Sequence, residues 1–339
     1  MGTGQYPRHI GNSIYTINIK MKGITMKKYF LNVLLTVLMV FTLSTSAMAL
    51  SMLSLDNWAF NPNGTGYAGS FGNLAQITFY GISAVDSNVG VGNNGSFDQY
   101  GTYNATAFTK PPSEFAGYTN VLPGVSKLGV DYELTLELDN TKGTFVVNSN
   151  GINEVTFTQA TLNIYIDSNF NYGQASADPS VIYGGNDGTL IASFLLISGN
   201  GTMNFNANAG PDGSTNITFL SNPDVLTNGF RPGYWFDEDG IDLSTYDPTR
   251  LPVLSITDSN NELFVDAEGN NLQPDAVTTS EFTKSGLQTA ATPDFENFFV
   301  QSDGSFSLAT TPIPEPATLI LFGAGLVGLG YTGRKKMMM

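Results

Sequence analysis

Apolar and polar residues alternate with a period of two through much of this chain. In Tyr132-Glu133-Leu134-Thr135-Leu136-Glu137-Leu138 the leucines fall on one face and Glu133, Thr135 and Glu137 on the other. That is the pattern of a strand with one buried face. Leu162, Ile164 and Ile166 repeat it, as do Leu74–Tyr80 and the pair Ile217 and Phe219. Leu190–Ile197 is an apolar run that fits a strand buried on both faces. Between Leu138 and Thr144–Val147 lie the turn-forming residues Asp139-Asn140-Thr141-Lys142-Gly143, which predict a hairpin. Further turn clusters sit at Gly90–Ser96, Gly184–Gly188 and Gly210–Thr215. From 50 to 313 no long window shows a capped helical period, and Pro274–Phe298 reads as an irregular loop or an excursion from a sheet edge. Many strands with closely spaced turns predict an all-β fold, an antiparallel β-sandwich or jelly-roll-like domain.

Both ends break the pattern. Met26-Lys27-Lys28 opens a basic stretch, Tyr29–Leu43 is apolar, and Ala47-Met48-Ala49 offers a small-residue cleavage site. Residues 26–49 therefore read as a secretory signal peptide, cut after Ala49. Residues 1–25 read as an upstream extension, with Met26 as the initiator. At the other end, Pro314-Glu315-Pro316 precedes an uncharged apolar segment, 317–333, and the cationic cluster Arg334-Lys335-Lys336. As a helix that segment spans about 25 Å, enough for a single transmembrane helix in a locally thinned bilayer. The terminal cations put the C-terminus in the cytoplasm and everything before Pro314 outside. Gly323-Ala324-Gly325-Leu326-Val327-Gly328 has the spacing of a dinucleotide loop, but no second strand or acidic residue follows it. It reads as glycine packing in a membrane helix. The exported body is then 50–313.

The tail, Pro314 to Lys336, resembles the PEP-CTERM sorting signal of Gram-negative bacteria, with all three of its parts in order. The same type of tail is also known as the ice-binding protein C-terminal domain, a label that carries no inference about ice. The resemblance implies export through the Sec translocon and a transient stay in the inner membrane. An exosortase would then recognise and process the tail, releasing the protein to the cell surface or extracellular matrix. In the body, Leu162-Asn163-Ile164-Tyr165-Ile166-Asp167, Asp187-Gly188-Thr189-Leu190-Ile191-Ala192, Ala75-Gln76-Ile77-Thr78-Phe79 and Gly304-Ser305-Phe306-Ser307-Leu308 are similar to flocculation-associated PEP-CTERM proteins. That similarity implies a secreted protein that helps cells aggregate within exopolysaccharide, and it brings no catalytic residues.

Charge sharpens the picture. Residues 50–313 hold 28 acidic and 6 basic side chains, a net charge of −22, against −15 for the whole chain. Such a surface repels nucleic acid and anionic lipid headgroups. The chain has no cysteine, and its one histidine, His9, precedes the signal peptide. Cysteine and Ser-His-Asp nucleophiles and the usual zinc sites are thereby excluded from the body.

Two clusters could carry chemistry. Asp237-Glu238-Asp239 follows Tyr234-Trp235-Phe236, so Trp235, Asp237 and Asp239 are candidates for carbohydrate contact, or for acid and base in a glycoside hydrolase. Asp167-x-Asn169-x-Asn171-x-Gly173 places oxygen donors at alternate positions. It reads either as a calcium loop lacking the closing glutamate of an EF-hand or as a loop held by Asx turns. Asp237 and Asp239 form a second calcium candidate. The sequence as a whole predicts a non-enzymatic, exported adhesion or flocculation protein with no cofactor other than calcium. A secreted carbohydrate-binding module or carboxylate-dependent glycoside hydrolase is the alternative.

Overall fold

The alternating segments become strands, most of them longer than their sequence pattern suggests. The computed structural model describes residues 53–55, 57–89, 94–113, 117–147, 152–204, 213–247, 250–263, 274–287 and 297–310. Its strands are β1 (Leu53–Ser54), β2 (Trp58–Phe60), β3 (Phe71–Leu74), β4 (Gln76–Val89), β5 (Asn94–Lys110), β6 (Thr119–Asn120), β7 (Glu133–Val147), β8 (Ile152–Asp167), β9 (Thr189–Asn204), β10 (Gly213–Ser221), β11 (Trp235–Phe236), β12 (Pro252–Leu263) and β13 (Asn297–Thr310).

The expected all-β, antiparallel character is present, but the architecture is neither a sandwich nor a jelly roll. Strands β4, β5, β7, β8, β9, β10, β12 and β13 each pair antiparallel with the next, and β13 pairs back onto β4 from Asn297↔Asp86 to Ser307↔Gln76. The result is a closed up-and-down barrel. Closure removes the open edges that two stacked sheets would leave. Past the first residue of β4, the last residues of β13 pair with β1 instead.

Alternation explains the filling. Leu134, Leu136 and Leu138 of β7 face inward with Leu162, Ile164 and Ile166 of β8, their direct cross-strand partners. Deeper along the barrel the inward positions turn partly polar. There the Ser83 and Tyr103 hydroxyls lie 2.6 Å apart, and Ser302 donates to Asn261 Oδ1 at 2.7 Å. One end is covered by a small sheet in the order β11-β2-β3. It delivers Trp58, Phe60 and Trp235 into the main core, with Phe60 and Trp235 4.8 Å apart between ring centroids.

Two local expectations change. The hairpin expected at Asp139–Gly143 is a bulge within one continuous strand. Asn140 adopts φ +48°, and the pairing with β8 shifts register between Asp139 and Gly143. Turn-forming residues here bend a strand without ending it. The irregular Pro274–Phe298 segment contains a short helix, Ala276–Phe282, whose first turn is capped by Asp275 accepting from the Thr278 N–H at 2.8 Å. Among the described residues no helix is long and apolar enough to cross a membrane. The signal peptide 26–49, the extension 1–25 and the transmembrane segment 317–333 lie outside the described residues.

Candidate functional site

The outward face of β7 should meet water, yet Glu133, Thr135 and Glu137 are all buried, Glu133 at 5% and Glu137 at 7% exposure. The cover comes from elsewhere in the chain. The long connection from β8 to β9, residues 168–188, folds back over β7. The helix Ala276–Phe282 packs Phe282 against Tyr100, Tyr183 and Phe299 beside it. Ile82, Ala84 and Ile182 complete this second apolar cluster on the outside of the barrel.

Glu137 organises the middle of the covered face. Its Oε1 receives hydrogen bonds from Tyr100 OH at 2.7 Å and Asn186 Nδ2 at 2.8 Å. Its Oε2 receives them from Tyr165 OH at 2.8 Å and Asn163 Nδ2 at 3.0 Å. Four donors thus saturate a carboxylate that has no salt-bridge partner among the described residues. Burial, reinforced by the Glu137 charge, pushes the Tyr100 and Tyr165 hydroxyls far above the ordinary tyrosine range, so both stay protonated as donors. Asn186 also accepts from the Ile182 N–H and donates to the Ser180 carbonyl, pinning the covering loop to the carboxylate. The far side of the loop is held by Lys284. Its ammonium pairs with buried Glu281 at 2.7 Å and donates to the Ser176 carbonyl at 2.8 Å. Glu281 in turn accepts from the Tyr183 N–H.

The other glutamate of β7 sits in a more anionic setting. Glu133 is the direct cross-strand partner of Asp167, a like-charge pairing that disfavours the sheet. Its Oε1 accepts from the backbone N–H groups of Asn171 and Tyr172 at 3.0 and 3.2 Å. Burial pushes its pKa above the usual carboxylate range. The two backbone donors oppose that rise, and the charges of Asp167 and Asp187 add to it. Asn171 donates from Nδ2 to Asp187 Oδ2 at 2.5 Å, and the Asn169 N–H donates to Asp167 Oδ1 at 3.1 Å. That second bond is the Asx turn the sequence allowed. Two oxygens remain sealed from water with no donor, Asp167 Oδ2 and Asn171 Oδ1. An unsatisfied buried acceptor costs about 1–3 kcal/mol. Asn169 itself is exposed at the loop surface. Glu133 and Asp187 were not expected here, because local spacing does not show which strand a loop folds against.

Trp235 and Asp237 of the aromatic-acidic cluster are built into the fold. Trp235 is 1% exposed within the end sheet, and its indole N–H donates to the Ile191 carbonyl, leaving no face for a sugar. Asp237 is buried in a turn. Its Oδ1 accepts from the N–H groups of Asp239 and Ile241, and its Oδ2 from Tyr246 OH at 2.6 Å. Asp239 is exposed. Asp237 and Asp239 do not lie on a strand face, because β11 ends at Phe236. With its oxygens already engaged, Asp237 is poorly placed to hold calcium or to act as acid or base. Among the described residues no group of three or more acidic, histidine or cysteine side chains is arranged to hold a metal ion.

Comparison with known families finds a PEP-CTERM protein-sorting motif at residues 312–336. It encloses Pro314, Glu315, Pro316, Arg334, Lys335 and Lys336. These residues lie outside the described ones, as do Ala47 and Ala49 of the cleavage site. The motif implies export, transient membrane sorting and processing by an exosortase. No curated protein and no solved structure matches the chain.

Proposed function

We propose that this chain is a non-catalytic surface or matrix protein of a Gram-negative bacterium, promoting adhesion or flocculation in association with exopolysaccharide. The sorting motif at 312–336 is the observation that carries the reading. The body is consistent with it. Its barrel is apolar through much of its interior, and its net charge of −22 keeps it soluble and self-repelling outside the cell. The alternative, a carbohydrate-binding module or glycoside hydrolase built on Trp235, Asp237 and Asp239, has little support, since the first two are buried and hydrogen-bonded within the fold.

Deleting the gene tests the role. The deletion strain should settle more slowly and retain less matrix, and unchanged settling would overturn the adhesion reading. Removing 314–339 alone should leave a folded body in the wrong compartment. Turnover of a polysaccharide panel, abolished by Asp237→Asn or Asp239→Asn, would establish the enzymatic alternative instead.

A further inference from the structure

Between β5 and β7 the stretch 117–130 turns apolar side chains outward. Tyr118, Leu122, Val125 and Val130 are all exposed, and Leu122, at 71%, is the most exposed large apolar residue among those described. Single apolar residues on a surface are ordinary, but four in so short a stretch mark an interaction surface. The stretch is firmly built. Val121, Leu128 and Tyr132 anchor it in the core, and Tyr132 OH donates to the Ser126 carbonyl at 2.8 Å. It contains no acidic residue, although the body carries 28, and Asp131 lies just past its end. Lys127 within it and Lys110 before it belong to neither ion pair found among the described residues.

This patch lies at the end of the barrel from which the chain departs for its tail. Asn120 pairs with Thr109, Thr109 with Gln76, and Gln76 with Ser307, three residues before β13 ends at Thr310. Three strand spacings, about 14 Å, thus separate the patch from β13. From Thr310 to Ala317, where the uncharged apolar segment begins, the chain can reach at most about 25 Å. We propose that, while the tail is held in the membrane, Tyr118, Leu122, Val125 and Val130 rest in the headgroup region of that same bilayer. The barrel then stands on its capped end. Lys110 and Lys127 meet lipid phosphates there, and the acid-free stretch is where an anionic body can approach them. Four side chains bind lipid weakly on their own. The inserted tail makes the contact intramolecular, at an effective concentration of about millimolar, so a weak contact suffices. Cutting the tail removes that advantage and frees the body. The contact depends on the membrane sorting that the motif implies, and not on adhesion.

The test uses the full chain, reconstituted through its tail into vesicles of phosphatidylcholine and phosphatidylglycerol. The chain has no cysteine, so single-cysteine variants each carry one bimane label. Quenching by lipids with a nitroxide near the headgroup is read against vesicles lacking it. Labels on Leu122→Cys and Val125→Cys should be quenched strongly. Labels on Val146→Cys, at the opposite end, and Ile197→Cys, on β9, are exposed sites that should be quenched little. Adding Leu122→Gln and Val125→Gln to a labelled Tyr118→Cys chain should lower the ratio of docked to undocked protein at least about tenfold, since two apolar contacts are lost. The melting midpoint should not move, because both side chains are exposed. Equal quenching at all four labelled positions would mean a barrel swinging freely on its tether and overturn the proposal. So would quenching that survives the glutamine pair. A label at Leu122→Cys shielded from aqueous iodide yet untouched by the lipid nitroxide would mean that a second copy covers the patch, which also overturns it. A chain that fails to float with the vesicles would instead remove the membrane-held tail on which the contact depends.

Discussion

Phe97 and Phe157 meet edge to face inside the barrel, ring centroids 5.6 Å apart and planes at 88°. The residue between them is Gly143, the cross-strand partner of Phe97 on one side and of Phe157 on the other. The arrangement recurs one step along the same pair of strands, where Gly95 lies opposite Phe145. Aromatic rings thus fill the space that glycine leaves in a strand, which packs and pins the register together.

A side chain at this position has nowhere to go. A Cβ on Gly143 would collide with the Phe97 ring and lie 2.6 Å from the Thr156 carbonyl oxygen. Gly143→Ala should therefore destabilise the barrel by about 1–3 kcal/mol, the usual cost of overpacking. Gly117→Ala is the control, because nothing lies within 4 Å of its added methyl. Urea unfolding of both variants checks the contrast, and equal midpoints would refute it.

Glu137 offers acceptors to four donors, and the charge is shared between two hydroxyls and two amides. Glu137→Gln replaces one acceptor oxygen with an amide NH2 facing donors. It should cost about 2–3 kcal/mol, more than Tyr165→Phe at about 1 kcal/mol. Chemical denaturation measures both, and a Gln variant as stable as wild type would show that the network carries no net stability.

Glu133 sets a pH dependence. Its folded-state value lies above its ordinary one, for burial first and neighbouring carboxylates after. The folded form therefore holds its proton more tightly than the unfolded chain, and stability falls as pH rises through the window just above the ordinary value of 4.5. Acidification from neutral into that window should raise the melting midpoint. Glu133→Gln should flatten the rise, and a variant with the wild-type profile would exclude this residue as its source.

The two lysine pairs should behave oppositely. Lys142 and Asp98 are each 52% exposed, so breaking their pair should change stability by less than about 1 kcal/mol. Lys284→Met leaves the Glu281 carboxylate, 3% exposed, without its cation, at a cost of about 3–5 kcal/mol. Hydrogen exchange at the Tyr183 amide, which Glu281 accepts, should speed up selectively in Lys284→Met.

Strand faces were legible in the sequence because alternation is a local property. Leu134 to Leu138 and Leu162 to Ile166 point where their spacing says, into the core. Barrel closure was not legible, since nothing near Gln76 or Ser307 announces that these distant residues pair. The same blindness hid the covered site. Glu133 and Glu137 alternate like solvent-facing residues, and only the fold shows the 168–188 loop lying over them. Turn chemistry misled at Asn140, where a left-handed residue makes a bulge within a strand. Trp235 and Asp237 looked like a sugar platform because adjacent aromatic and acidic residues also suit a buried turn.

The strand that shuts the ring, β13, ends at Thr310, directly ahead of the sorting motif. A body threaded outward N-terminus first must leave one edge of β4 unpaired until nearly its whole length has crossed. The ring of strands can therefore close only after the segment directly ahead of the sorting motif has crossed.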